Sequence, residues 1–223
     1  YWGLDKNIQQ PTYAGALDPN CVRDSKIGPP CVYTTNGATK TVLLIGDSHA
    51  GHISQAVVDA AKSANWNAVV WTHSGCHIQF KRSIPEQVSD NCIDINNSMK
   101  KWVEENRPYA IIVSQYVYSD SSQNDLRDAL MTLRLINQNI LLIENNPVFP
   151  DEKGYIFERP IVMPAYKPPK SFQQSIMRTE NKNASDLLAN WARSNGISTM
   201  SFDSLFCENG VCSRYSDKGW LYR

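Results

Sequence analysis

The sequence predicts an α/β chain built as a three-layer α/β/α sandwich around a parallel sheet of about five strands. Three observations carry that reading. From residue 41 onward, short apolar runs rich in β-branched residues alternate with segments of helical periodicity. The runs are apolar along their length, as strands covered on both faces require. The most apolar of them, Thr41-Val42-Leu43-Leu44-Ile45, ends at Gly46-Asp47-Ser48, where a helix opens.

The elements follow in order. Residues 1–40 carry Pro11, Pro19, Pro29 and Pro30 with little periodicity, and read as an irregular extension packed on the core domain of residues 41–223. Strands are predicted at 41–46, 67–72, 109–114, 139–144 and 197–201, and helices at 49–64, 93–106, 122–137 and 173–194. Ile53, Ala56, Val57 and Ala60 mark one face of the first helix; Leu126, Ala129, Leu130 and Leu133 mark the third. Leu187, Leu188, Trp191 and Ala192 do so in the last. Residues 145–172 hold six prolines and several aromatics. A loop that long is usually functional, and it is expected to face a substrate or a membrane domain.

Lysine and arginine together number 22, as do aspartate and glutamate, which argues against nucleic acid as a partner. No apolar run approaches the ~20 residues that span a bilayer. The start at Tyr1-Trp2-Gly3-Leu4 reads as that of an excised domain. Six cysteines allow fifteen connectivities. Sequence-neighbour pairing, Cys21 with Cys31, Cys76 with Cys92 and Cys207 with Cys212, is favoured because each pair brackets a polar or Pro/Gly-rich loop with little apolar cover. Zinc is disfavoured, since no C-x-x-C or matched histidine spacing occurs, and no metal is expected. Disulfides imply an oxidising compartment, which for a bacterial protein is the periplasm or cell surface.

Ser48 is the candidate nucleophile. At a helix start its hydroxyl meets unpaired backbone N–H groups and the positive end of the helix dipole, which suits the oxyanion of an acyl-transfer intermediate. A serine there can also serve merely as a helix cap. The only histidines are His49, His52, His73 and His77. His49 adjoins the nucleophile, His52 lies one helical turn on, and His73 and His77 flank Gly75 in the next strand's loop. Asp47, His49, His73 and Tyr116 are expected to line the site, with Asp47 fixing the turn rather than serving as the triad acid. Oxyanion donors are expected from the backbone N–H groups of Ser48 and Gly75 and from the Gln115 amide. Tyr116, Tyr118 and Trp220 offer rings for sugar stacking.

Gly46-Asp47-Ser48 after an apolar strand resembles block I of the SGNH (GDSL-like) hydrolases and acyltransferases. The longer run Ile45-Gly46-Asp47-Ser48-His49-Ala50, with Ser74-Gly75-Cys76 behind the second strand, resembles the SGNH domain fused to acyltransferase family 3 membrane proteins. The resemblance covers the chain from about residue 40 and implies the flavodoxin-like SGNH fold. Two features depart from the pattern. The family's catalytic Asp-x-x-His is missing before Trp220-Leu221-Tyr222-Arg223, so the catalytic His and Asp are expected beyond Arg223. Gln115 stands where the family carries an asparagine.

The resemblance implies an O-acyltransferase that acetylates a bacterial surface polysaccharide, such as O-antigen, through an ester on Ser48. It would be the periplasmic domain of an inner-membrane protein, monomeric when isolated. It would need no cofactor, its acetyl group being delivered by a membrane acyltransferase domain on the same polypeptide. Water as acceptor gives a secreted carbohydrate esterase with the same chemistry. A glycan-binding module on a degenerate hydrolase fold is the third reading, resting on the absent Asp-x-x-His.

Overall fold

The computed structural model describes residues 29–81, 90–117, 120–145, 171–173, 181–213, 215–216 and 219–220. Along the chain run β1 (Cys31–Tyr33), β2 (Thr41–Gly46), α1 (Ser48–Ser63), β3 (Asn67–Thr72), α2 (Asp90–Asn106), β4 (Ala110–Ser114), α3 (Asp120–Ile136) and β5 (Ile140–Ile143). They are followed by β6 (Ser171–Gln173), α4 (Asn181–Ser194), β7 (Ser198–Met200) and the short α5 (Asp203–Phe206). Four brief strands close the described chain: β8 (Cys207–Glu208), β9 (Val211–Ser213), β10 (Tyr215–Ser216) and β11 (Gly219–Trp220).

The five predicted strands form a parallel array, β3-β2-β4-β5-β7, inside a six-stranded sheet. The sixth strand comes from the expected irregular extension. β1 pairs antiparallel on the outer edge of β3, with Cys31 opposite Val70 and Tyr33 opposite Ala68. Val32 and Tyr33 suit an edge strand, and a run this short leaves no periodicity to read.

Side chains alternate between the two faces. Leu44 joins Val70 and Ala50 in a cluster packed by Ile53 and Val57 of α1. Leu43 and Ile45 point the other way, into the main cluster with Met99 and Val103 of α2, Leu130 and Leu133 of α3, and Leu188 and Ala192 of α4. Leu43, Leu44 and Ile45 are fully buried, and each contributes roughly 1.5–3 kcal/mol of burial free energy. From β2 the chain crosses to β3 through α1, whereas from β4 it crosses the opposite way to β5 through α3. The carboxyl ends of β2 and β4 therefore flank the switch point, where open α/β sheets bind ligands.

The predicted helix at 173–194 needs correction. Phe172 and Gln173 sit in β6, opposite Cys212 and Val211 of β9, and α4 begins at Asn181. Cross-strand pairing overrides the weak helical pattern at 173, and residues 174–180 lie outside the described residues. No strand was expected after residue 201, yet β8 and β9 form a hairpin. Its turn is Asn209-Gly210, with φ of 50° and 78°, as the tight hairpin turn of Asn-Gly requires. Most of the long 145–172 loop and of the 1–40 extension lies outside the described residues. Among those described, no helix is long and apolar enough to cross a membrane.

Candidate active site

The site grows from the end of β2. Gly46 has φ of +149°, and a Cβ there would stand 1.7 Å from the Ser114 carbonyl oxygen on the neighbouring β4. Only glycine lets the two strand ends run this close. Asp47 is the N-cap of α1 and is 3% exposed. One carboxylate oxygen accepts the His49 backbone N–H at 2.8 Å. The other accepts the Tyr116 N–H at 3.0 Å, across the switch point from the segment after β4. Asp47 thus fixes the turn, and both of its oxygens are committed to the backbone.

Ser48 is the first residue of α1 and is half-buried. Its hydroxyl has no hydrogen-bond partner among the described residues, and its N–H lies outside the capping contact. The helix is capped by Asp47, so capping does not explain the serine.

The four histidines fall in different surroundings. His49 stacks on Tyr116, ring centroids 4.9 Å apart at 23°. Burial lowers its pKa below the ordinary 6.5, and the Asp47 charge partly offsets this by raising it. Burial also raises the Tyr116 phenol above its ordinary value, so it stays protonated at neutral pH. His52 is exposed on the next turn. His73 is buried, its backbone N–H donating to the Gly46 carbonyl at 3.0 Å, which ties the loop after β3 to the turn that carries Ser48. None of the four hydrogen-bonds the Ser48 hydroxyl.

Residues 73–78 are pinned to the rest of the site at several points. Cys76 is joined to Cys92 by a disulfide, and Asn96, one turn along α2 from Cys92, donates to the His77 carbonyl at 2.8 Å. Gly75 is exposed with φ of +72°, in a turn closed by the Cys76 N–H donating to the His73 carbonyl at 3.1 Å. That conformation gives glycine a local reason to be there. The Ile78 N–H donates to Gln115 Oε1 at 2.5 Å. A backbone donor needs an acceptor, so the contact fixes which end of the amide is oxygen. Gln115 is 2% exposed, and its Nε2 has no partner among the described residues. Cys31 and Cys207 are also disulfide-bonded; Cys207 faces Cys212 across the hairpin, and Cys21 lies outside the described residues.

Asn145 was not singled out by the sequence. Its side chain pairs with the backbone of Val117, accepting at 3.1 Å and donating at 2.7 Å, and its own N–H donates to Ser185 Oγ. It thereby holds the segment carrying Gln115 and Tyr116. Its place after β5 was legible, but a contact spanning 28 residues leaves no local signal. Among the described residues no cluster of His, Cys, Asp or Glu could hold a metal ion.

Asp47→Asn tests the two-sided anchor. Asparagine has one carbonyl oxygen, so one of the two backbone N–H groups loses its acceptor, at a cost of about 1–3 kcal/mol in urea unfolding. Without the carboxylate charge only burial acts on His49, so its NMR titration midpoint moves further below 6.5. A midpoint that stays put or rises would show that Asp47 does not face the imidazole.

The fold is shared by the periplasmic domain of the lipopolysaccharide acetyltransferase of Salmonella ser. Paratyphi A, at TM-score 0.52 and 15% identity, over 83% of this chain and 74% of that one. No curated protein sequence matches the chain. A family model described as the SGNH domain fused to AT3 domains matches residues 18–223, nearly the whole length, and the chain belongs to that family.

Proposed function

We propose that this domain transfers an acetyl group to a hydroxyl of a bacterial surface polysaccharide, such as O-antigen, through an ester on Ser48. The observation that carries the proposal is the setting of Ser48. Its hydroxyl is uncommitted among the described residues, at a helix start on the switch point and beside its own N–H, with the capping role already filled by Asp47. Membership in a family fused to AT3 domains supports acyl chemistry and a membrane acyltransferase domain on the same polypeptide as the acetyl source. The fold it shares with a periplasmic lipopolysaccharide acetyltransferase domain supports a periplasmic location and a glycan acceptor.

In the proposed reaction a general base takes the Ser48 proton as Oγ attacks the acetyl carbonyl. The family's Asp-x-x-His would supply that base; the 223 residues contain no such sequence. Negative charge develops on the carbonyl oxygen at the N-terminus of α1, where the Ser48 N–H is its first donor. The Gln115 Nε2 amide and the Gly75 N–H are further donors in this reading; each such donor is typically worth ~3 kcal/mol. Collapse expels the donor's leaving group with the proton. A sugar hydroxyl then attacks the Ser48 ester, the base takes its proton, and the base passes that proton to Ser48 Oγ as the ester bond breaks. The chemistry needs no cofactor beyond the acetyl donor.

Intact-mass spectrometry of the protein treated with p-nitrophenyl acetate tests the ester directly. One acetyl group is expected on the peptide containing Ser48, and none on Ser48→Ala. Acetyl found only on other residues would sink the proposal. Acetyl that passes from Ser48 to water but to no glycan would replace the transferase with the esterase.

A further inference from the structure

A stack of rings stands beside the ends of β2 and β4. The Tyr116 ring, on the β4 side, stacks on His49 of α1, and the His49 centroid lies 5.8 Å from that of His52, which is exposed. The three rings thus run from the segment after β4 to solvent along the first turn of α1. Among the described residues, the apolar core does not include them. Ala50 is the residue of that turn packed into the sheet, and Tyr116 belongs to none of the three buried apolar clusters.

The stack is also registered on the nucleophile. The Asp47 carboxylate holds the backbone of both His49 and Tyr116, and Ser48 lies between Asp47 and His49 in the chain. A shift of the backbone that carries either ring therefore has to stretch a hydrogen bond to the residue that caps the Ser48 helix. Chemically, the surface suits a neutral sugar. The imidazole favours its uncharged form, and the phenol is protonated. Flat, uncharged, half-buried rings match the apolar C–H face of a pyranose.

We infer that Tyr116, braced by His49, is the stacking platform for the acceptor sugar and presents a hydroxyl of that sugar to the acyl group on Ser48. The inference rests on the acyl-transfer reading and adds where the acceptor sits.

The experiment measures binding with the chemistry switched off. The probe is delipidated lipopolysaccharide from the native host, titrated against the intact protein carrying Ser48→Ala by NMR or calorimetry. Adding Tyr116→Ala is expected to weaken binding by about tenfold. Tyr116→Phe should stay within about twofold of the parent, because the ring face is kept. Both variants retain the Tyr116 backbone N–H that Asp47 accepts, so the anchor itself is not removed. No binding by the parent, equal binding by Tyr116→Ala, or a Tyr116→Phe variant as weak as the alanine would each overturn the platform. Acetylation of Ser48 in the protein with its serine intact reports separately on the underlying reading. Acetylation without the tenfold change defeats the platform alone. The tenfold change without acetylation defeats the acyl-transfer reading and leaves the sugar site standing.

Discussion

Ser48→Ala is expected to lower acetyl transfer by roughly 10⁴–10⁶-fold in kcat while changing unfolding free energy by less than about 0.5 kcal/mol. The two halves of that expectation come from one geometric fact. Asp47, not Ser48, caps α1, and the Ser48 hydroxyl makes no hydrogen bond among the described residues. Removing it therefore breaks no hydrogen bond among the described residues. Were Ser48 a cap, its loss would cost about 1 kcal/mol of stability. Were it idle, transfer would continue. Turnover by the intact protein, read beside a urea titration of both forms, separates the cases. A stability loss with turnover intact would return Ser48 to a structural role and favour the glycan-binding module.

Much of this was legible in the sequence, for identifiable reasons. β2, β3, β4 and β5 are apolar on both faces and announce themselves within a residue or two of their ends, and the edge strand β7, though polar, also falls within a residue or two of its expected ends. The turn from β2 into α1 is a local feature, because Gly46-Asp47-Ser48 is contiguous. What escaped is non-local or very short. β1 depends on the open edge of β3 for its pairing, and three residues carry no period. The start of α4 was misplaced because β6 is decided by a partner strand some forty residues away. In the site, Asp47 was expected to fix the turn, but its second bond, to Tyr116, spans 69 residues. Gln115 was legible as a residue following a strand. Its orientation is set by the Ile78 backbone N–H, which side-chain identity does not encode.

Gly46→Ala carries the largest stability effect expected of a single methyl group here. The φ of +149° is one that L side chains rarely adopt, and the new Cβ would fall 1.7 Å from the Ser114 oxygen and 2.8 Å from the Ala50 Cβ. Neither obstacle can swing aside. The oxygen is backbone in β4, locked by the parallel ladder in which Gly46 faces Ser114, and Ala50 is fully buried in the first turn of α1. Relief requires the ends of β2 and β4 to separate. That same movement pulls the Tyr116 N–H away from Asp47. Backbone strain and overpacking together are expected to cost roughly 2–6 kcal/mol, a large share of a domain's usual 5–15 kcal/mol. Gly75→Ala is the internal control. Its φ of +72° is also left-handed, but nothing lies within 4 Å of the added Cβ, so only the conformational cost of about 1–2 kcal/mol remains. Urea unfolding should therefore place Gly46→Ala below Gly75→Ala by about 1–4 kcal/mol, the difference between the two costs. If Gly46→Ala unfolds at the same midpoint as Gly75→Ala, the close approach of β2 to β4 is wrong. The registration of Asp47, Ser48 and Tyr116 that depends on it then falls as well.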